Sequence, residues 1–221
     1  MDKAFLWFVK ITGWPLQHFY FKKKIYTEDN NKDLLKLKGS ALIVSNHTSV
    51  YDYPLIMYTF LKRSIRVLVA EVIYKKGFLM SRLMHHMGAI RVDRSSYDFG
   101  WASKMVECLN KGYVGLIFPE SRIPEGEERL DLIEFKPSYV YVALESGVPI
   151  IPVYTNGIYG KLKKEKNDVA RIMVGKPINV RSLFDEAKSE KENIDYINQY
   201  VKTRVKELRS KLENEQVLNN E

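Results

Sequence analysis

The stretch "ALIVSNHTSVYD" (residues 41–52) carries an apolar run into a cluster of polar side chains. Residues 41–45 are apolar up to the final serine, which is typical of a strand buried on both faces of a sheet. His47 follows this strand, and Asp52 stands five positions after the histidine. One interpretation is a His–Asp pair at a strand exit, where ligands bind in open α/β sheets. The other is a strand running into a helix, with Ser49 as the cap and Asp52 completing a capping box.

Both interpretations of Asp52 can be true at once. A carboxylate that accepts a hydrogen bond from one imidazole nitrogen fixes the tautomer, and the other nitrogen is then free to take a proton. On the catalytic interpretation His47 is a general base and Asp52 its partner. The nucleophile would then be a hydroxyl of the substrate, so no serine is needed for covalent catalysis.

The composition limits the class of protein. With 221 residues, 45% hydrophobic and 28% charged, the chain is predicted to form one globular domain. Lys and Arg number 35 against 27 Asp and Glu, and the net charge of +8 favours nucleic acid, an anionic membrane surface or a phosphorylated substrate as partner. The single cysteine, Cys108, excludes an internal disulfide and fits a reducing compartment. The four histidines show no metal-ligand spacing, so we expect no metal and no cofactor.

Strand and helix patterns alternate along the chain. Strand patterns occur at 41–45, 65–70, 89–94, 114–120, 148–157 and 171–180, and helix patterns at 49–61, 77–88, 98–112 and 136–147. This order predicts an α/β fold with a mixed, largely parallel sheet flanked by helices. Four polar residues directly follow predicted strands: His47, Arg94, Glu120 and Asn156. We expect them to lie at one edge of the sheet, where ligands collect.

The first residues, "MDKAFLWFVKITGWPLQHFYFKKK" (1–24), are crowded with aromatic rings. Lys10 and Pro15 interrupt the segment, and its apolar run is too short for a transmembrane helix, which needs ~20 residues. Rings followed by the lysines at 22–24 predict a helical segment, residues 1–30, that lies in the interface of an anionic membrane. The alternative is a pair of helices packed on the domain, with the lysines on their outer face.

The remaining residues, 31–221, are predicted to form the second unit, which ends in an amphipathic helix at 193–215. Its apolar residues recur at helical spacing on one face: Ile194, Ile197, Val201, Val205, Leu208 and Leu212. Packing on the domain is the favoured interpretation of this face, and contact with a membrane or partner is the alternative.

Four segments, in this order, resemble the motifs of the glycerolipid acyltransferase family, which includes the 1-acylglycerol-3-phosphate acyltransferases. "NHTSVYD" (46–52) resembles its NHxxxxD motif, and "GAIRVDR" (88–94) its second block. "LIFPESR" (116–122) is similar to the third block, FPEGTR, and "VPIIPVY" (148–154) to the fourth. The resemblance covers roughly residues 35–180.

The resemblance implies that His47 is the general base and Asp52 its partner. In the reaction of this family, a thioester carbonyl becomes an oxyanion as the acceptor hydroxyl attacks. We expect backbone N–H groups near Thr48 and Ser49, at the start of a helix, to stabilise that oxyanion.

The resemblance also implies a set of residues around the phosphate of the acceptor. These residues are Arg91, Arg94, Glu120, Arg122 and Lys136. Arg94 matches the basic residue of the second block, whereas Glu120 would orient an arginine or a glycerol hydroxyl. The third block departs from the family pattern, because it is one residue shorter and has Ser121 in place of the glycine. Arg122 is the counterpart of the family arginine with that shift in register.

An apolar slot for the acyl chain is predicted in the segment 78–87. Its residues are Leu79, Met80, Leu83, Met84 and Met87. Methionine side chains are flexible and suit a flexible chain, although ordinary core packing explains them equally well.

Together these features predict an O-acyltransferase that moves a fatty acyl group from acyl-CoA or acyl carrier protein to a lysophospholipid, 1-acylglycerol-3-phosphate above all. We expect attachment to the cytoplasmic face of a membrane, as a peripheral or monotopic protein. An alternative acceptor is glycerol-3-phosphate or another lysolipid. An alternative of another class is a non-catalytic basic module that binds lipid or nucleic acid. Nucleic acid is disfavoured, because the aromatic residues concentrate in the N-terminal segment instead of alternating with Arg and Lys on a sheet face.

Overall fold

The computed structural model describes residues 3–75, 77–93, 99–160 and 169–218, which form a seven-stranded sheet with helices on both faces. The strands are β1 Lys24–Thr27, β2 Ala41–Ser45, β3 Ile65–Ala70, β4 Ile90–Val92, β5 Val114–Ile117, β6 Ile150–Asn156 and β7 Arg171–Val174. The helices are α1 Lys3–Pro15, α2 Asp52–Thr59, α3 Glu71–Tyr74, α4 Phe78–Met87, α5 Gly100–Asn110, α6 Ser138–Ser146 and α7 Glu190–Leu218. A π-helical turn, Leu16–Tyr20, continues α1.

The strands lie in the order β1-β7-β6-β2-β5-β3-β4. The five strands from β6 to β4 are parallel, whereas β7 runs antiparallel to β6 and β1 runs parallel to β7. The predicted mixed, largely parallel α/β fold is therefore confirmed. Strand β1 was missed, because its four residues follow a lysine run and only the last of them is buried, so they show no apolar pattern.

Strand β2 lies at the centre of the sheet, between β6 and β5, and all of its residues are buried. Leu42 and Val44 face the layer formed by α5, α6 and α7. Ala41 and Ile43 face the opposite layer, which contains α2 and Phe21. Burial on both faces is the reason that this strand reads as an unbroken apolar run. It also fixes the carboxyl end of β2, and with it His47, in the middle of the sheet edge.

Helix α1 packs on the domain through one side. The Lys10 ammonium is buried there and donates to the carbonyl oxygens of Leu61 and Arg63, at 2.6 and 3.0 Å. Burial lowers the pKa of Lys10. The alternative prediction was a pair of helices packed on the domain, with the lysines on their outer face. The position of the lysines in this prediction is wrong for Lys10, which faces inward. The outer side of the segment carries exposed apolar residues: Trp7, Phe8, Ile11, Trp14 and Phe19.

The lysines that end the N-terminal segment do not all face solvent. The Lys23 ammonium donates to the Tyr58 carbonyl at 3.1 Å and lies over the Tyr58 ring, and burial lowers its pKa to about 8. The expectation that Lys23 contacts lipid phosphates is therefore wrong. Because Phe21 is in the core and β1 belongs to the sheet, the boundary predicted at residue 30 cuts through the folded domain.

Helix α7 packs on the domain through its predicted apolar face. Ile197, Val201, Val205, Leu208 and Leu212 are buried in the core, and Ile194 packs against it. The buried Glu28 carboxylate anchors the helix by accepting hydrogen bonds from Arg204 and Lys211, and these contacts lower its pKa to about 2 against the effect of burial. The favoured interpretation of the C-terminal helix is confirmed.

Within the described ranges, none of the helices combines the length and the hydropathy that crossing a membrane requires.

Candidate active site

Directly after β2, buried hydrogen bonds join Asn46 to Thr155 of β6. The Asn46 side-chain NH₂ donates to the Thr155 carbonyl at 2.9 Å, and the Thr155 backbone N–H donates to the Asn46 side-chain oxygen at 2.8 Å. The amide thus pairs with the backbone of the neighbouring strand and fixes the point at which the next residue, His47, leaves the sheet.

The buried Asp52 carboxylate organises the loop that follows. Its Oδ2 accepts the backbone N–H groups of Thr48 and Ser49, at 2.7 and 2.8 Å. Its Oδ1 accepts the hydroxyl groups of Thr48 and Thr155, at 3.2 and 3.0 Å. The same Oδ2 lies 3.0 Å from His47 Nδ1. The Ser49 contact is half of the predicted capping box, although α2 itself begins at Asp52 instead of at residue 49.

The His47 ring is held in one orientation. A carboxylate only accepts hydrogen bonds, so the contact with Asp52 places the imidazole proton on Nδ1 and leaves the Nε2 lone pair free. The ring stacks on Phe118, with the centroids 4.3 Å apart and the planes 18° apart. Phe118 and Thr155 were missed by the sequence analysis. Their signal was their position directly after β5 and near the end of β6, at the same sheet edge.

The two backbone N–H groups that were expected to stabilise the oxyanion donate to a carboxylate of the protein. The backbone N–H groups of Thr48 and Ser49 both point at Asp52 Oδ2. An N–H group that already serves a buried carboxylate is not aimed at a substrate, so the structure contradicts their assignment to the oxyanion. The backbone N–H of His47 lies nearby and donates to Glu120 Oε1, at 3.4 Å.

Glu120 is a buried carboxyl group next to the histidine. It is 4% exposed, and its Oε2 is buried and has no hydrogen-bond partner among the described residues. Burial raises its pKa to about 8, and the negative charge of Asp52 acts in the same direction, against the lowering effect of the His47 N–H. The side chain is therefore neutral at neutral pH.

The shortened third block forms a strained turn. Ser121 has φ of 61°, in the left-handed region that favours glycine, and glycine is the residue of the family pattern. Arg122 follows, and its guanidinium makes two hydrogen bonds of 2.6 Å to Glu128 at the protein surface. Arg122 is thus paired with a carboxylate of its own loop.

A cavity of about 250 Å³ opens beside His47. Phe118, Leu68, Val92 and Trp101 supply apolar walls. Lys136 also lines this cavity and is exposed, and in the described part of the chain no carboxylate pairs with its ammonium. The structure therefore brings Lys136 to His47.

Another predicted phosphate ligand, Arg91, does not line the His47 cavity. Arg91 is exposed, pairs with Glu71 and lines a different cavity, on the outer side of β4. Arg94 lies outside the described residues. Their assignment to the acceptor phosphate stays a prediction.

An apolar groove lies between the N-terminal helix, α2 and α4. Leu83, Met84 and Met87 line it, together with Val50 and Tyr51 from the loop after His47. Leu79 and Met80, both exposed at the start of α4, do not line it. Three of the five residues predicted for the acyl slot are thus brought together. In the part of the chain that the structure describes, no cluster of His, Cys, Asp or Glu could hold a metal ion.

The sheet and the loop that holds His47 and Asp52 indicate an acyltransferase. Comparison with known families gives the same class. The Acyltransferase family model matches residues 5–156, and the chain belongs to this family.

The relatives are named consistently. The 1-acyl-sn-glycerol-3-phosphate acyltransferase of Limnanthes douglasii is 30% identical over 179 residues, covering 76% of this chain and 59% of that protein. A protein of the same name from Haemophilus influenzae is 26% identical over 145 residues, covering 63% of this chain and 58% of that protein. The chain thus spans less than two thirds of the length of these relatives.

A solved structure shares the fold. The crystal structure of the 1-acyl-sn-glycerophosphate acyltransferase PlsC from Thermotoga maritima superposes with a TM-score of 0.67, at 20% identity, over 94% of this chain and 80% of that one.

Proposed function

We propose that this protein transfers a fatty acyl group from an acyl thioester to the free hydroxyl of a lysophospholipid, 1-acylglycerol-3-phosphate in particular. The observation that carries the proposal is the His47 imidazole. Asp52 fixes its tautomer, and the ring lines a cavity that also contains Lys136, whose ammonium pairs with no carboxylate among the described residues. The relatives, which are named for this reaction, support the choice of acceptor.

The reaction follows from the state of His47. An alcohol is a poor nucleophile at neutral pH, and its attack is assisted when Nε2 removes the hydroxyl proton, an effect worth roughly 10²–10⁴-fold. The hydroxyl oxygen forms a bond to the thioester carbonyl carbon, and the tetrahedral intermediate then expels the thiolate. The imidazolium returns the proton to that thiolate, so the products are an ester and a free thiol.

Asp52 favours the charged intermediate state of the histidine. Its carboxylate faces the imidazolium that forms when Nε2 is protonated, and its other hydrogen bonds hold it in place. Because Asp52 is buried, this interaction is screened less than a surface ion pair would be.

The polar end of the acceptor is proposed to bind at Lys136, whose ammonium attracts a phosphate at the mouth of the cavity. The acyl chain of the lipid is proposed to occupy the apolar groove of Leu83, Met84 and Met87. Val50 and Tyr51 line that groove three and four residues after His47, so the groove begins close to the reacting groups.

The outer side of α1 is proposed to lie in the interface of an anionic membrane, at its cytoplasmic face. Trp7, Phe8 and Trp14 are exposed there on a helix that is already fixed to the domain by Lys10. A lipid surface would cover these rings without further folding, and the net charge of +8 favours an anionic leaflet.

The test measures acyl transfer by purified protein from labelled acyl-CoA or acyl carrier protein to a panel containing 1-acylglycerol-3-phosphate, other lysolipids and glycerol-3-phosphate. The matched variant is His47→Ala, because the ring has one side-chain hydrogen bond and its removal leaves the core intact. We expect transfer to 1-acylglycerol-3-phosphate, and a loss of at least ~10²-fold in the variant. Lipid binding without transfer to any acceptor would instead support a non-catalytic lipid-binding module.

A further inference from the structure

A second and larger cavity runs along the edge strand β4, outside the active site. It measures about 970 Å³, within the range of small-molecule and cofactor sites. Helix α4 forms one wall through Phe78 and Arg82, and the other is formed by Lys104 of α5 and by Lys111, which follows the helix. We refer to this cavity as the basic groove.

The lining of the basic groove is strongly cationic. Among the described residues it contains two histidines and five other basic side chains, against one carboxylate, Glu107. The five are Arg66, Arg82, Arg91, Lys104 and Lys111. Lys111 pairs with Glu107 and Arg91 pairs with Glu71, whereas Arg82 and Lys104 make no ion pair in the described part of the chain. A concave surface of one sign concentrates ligands of the opposite charge.

Arg66 independently indicates an anion at this place. The residue is 8% exposed, and its Nε is buried without a hydrogen-bond partner in the ranges that the structure describes. The guanidinium lies over the Tyr113 ring at 4.2 Å and makes one long hydrogen bond of 3.4 Å, to the Gly88 carbonyl. No carboxylate in the described ranges pairs with it. A buried guanidinium without a counter-charge is costly, and a bound anion would reduce that cost.

The basic groove neighbours the His47 cavity. On α5, Trp101 lines the His47 cavity, and Lys104, one turn later on the same side of the helix, lines the basic groove. On β4, Val92 lines the His47 cavity, and Arg91, which points to the other face of the strand, lines the basic groove. The two cavities are therefore bounded by the same two elements.

We propose that the basic groove binds the phosphate-bearing nucleotide end of an acyl-CoA donor, while the thioester arm of the donor extends along β4 and α5 into the His47 cavity. The proposal rests on the proposed acyl transfer and assigns its donor. Acyl-CoA carries a diphosphate and a ribose phosphate at one end and the thioester at the other, which matches a cationic groove beside an apolar reaction cavity. The exposed Phe78 ring at the groove offers an apolar face for the base.

The first measurement is binding of coenzyme A itself to the full chain by calorimetry, which needs no turnover. The variant is Arg82→Glu/Lys104→Glu, because both side chains are exposed and neither makes an ion pair among the described residues. The matched control is Lys32→Glu/Lys191→Glu, which changes the net charge equally at exposed positions outside the described cavities. We expect the groove variant to weaken coenzyme A binding at least about tenfold and the control to bind as the wild type does.

The second measurement compares two donors. The groove variant should raise KM at least about tenfold for acyl-CoA and leave KM unchanged for the same acyl group on pantetheine, which lacks the nucleotide. Unchanged binding of coenzyme A in the groove variant would overturn the proposal. A selective loss of binding to phosphatidylglycerol vesicles would do the same and would assign the groove to lipid headgroups.

The two proposals fail separately. Transfer from acyl carrier protein by a chain that does not bind coenzyme A would overturn the groove assignment and leave the acyl transfer standing. Groove-dependent binding of coenzyme A without transfer to any acceptor would support the groove and overturn the proposed function.

Discussion

Asp52 Oδ2 lies 3.0 Å from His47 Nδ1 while it accepts the backbone N–H groups of the two residues that follow the histidine. The same oxygen atom therefore caps the loop and orients the imidazole. The two interpretations of the NHTSVYD stretch do not compete, because the group that ends the loop also fixes the tautomer.

Asp52→Asn is expected to lower acyl transfer by ~10²-fold or more and to destabilise the fold by about 1–3 kcal/mol. The amide has one oxygen in place of two, so it cannot accept from Thr48, Ser49, Thr155 and the imidazole together. Steady-state kinetics and urea unfolding measure the two effects. His47→Ala should lose activity with little change in the free energy of unfolding. Equal stability losses in the two variants would contradict the dual role of Asp52.

Lys136→Ala is expected to raise KM for a phosphate-bearing acceptor about tenfold or more and to change KM for the acyl thioester much less. One charge-assisted hydrogen bond is worth about 1.5–3 kcal/mol. Arg122→Ala is the comparison and should have the smaller effect, because Arg122 would first have to leave Glu128. A larger effect of Arg122→Ala would show that this pair opens when the acceptor binds.

The wild type is expected to lose stability as pH rises, and Glu120→Gln is expected to abolish this loss. The native pKa of Glu120, about 8, is above the value near 4.5 of an unfolded glutamate, so the native state holds a proton that the unfolded chain releases. The resulting stability is fully present below about pH 4.5 and is lost as pH rises through about 8. Urea unfolding at pH 5 and pH 9 should show the wild type losing stability relative to the variant, by on the order of 3 kcal/mol. If the free energy of unfolding changed equally with pH in both proteins, Glu120 would be ionised in the native protein.

Ser121→Gly is expected to stabilise the protein by about 0.5–1 kcal/mol, because glycine adopts the left-handed conformation without the steric cost of a Cβ atom. Thermal unfolding measures the change. Ser121→Ala is the control, since it removes the hydroxyl and keeps the Cβ atom, and it should bring no gain. A gain with alanine would attribute the effect to the hydroxyl group.

Trp7→Ser/Phe8→Ser/Trp14→Ser is expected to weaken binding to anionic vesicles in co-sedimentation, because it removes exposed apolar area from the outer side of α1. Deleting residues 1–24 is a poorer test, since it removes Lys10 and Phe21 from the packed domain.

The matched control for this surface is Leu130→Ser/Tyr141→Ser/Phe184→Ser, which changes exposed apolar side chains elsewhere. The control should bind vesicles as the wild type does. Equal binding by all three proteins would show that the outer side of α1 does not attach the chain to membranes.

The sequence by itself determined the alternation of strands and helices, the burial of β2 and the spacing of His47 and Asp52. These features depend on short-range periodicity or on residues five positions apart, so the local pattern contains them. The buried face of α7 was predictable for the same reason, because its residues recur at helical spacing.

Only the tertiary structure decided which polar groups are buried and what they contact. Thr155 reaches Asp52 from a strand more than 100 residues away, and Lys10 turns inward to carbonyl groups near residue 62. The high pKa of Glu120 likewise follows from loss of water around its carboxyl group. Such contacts and such burial arise when distant segments pack together, and a residue's neighbours in the sequence carry no record of them.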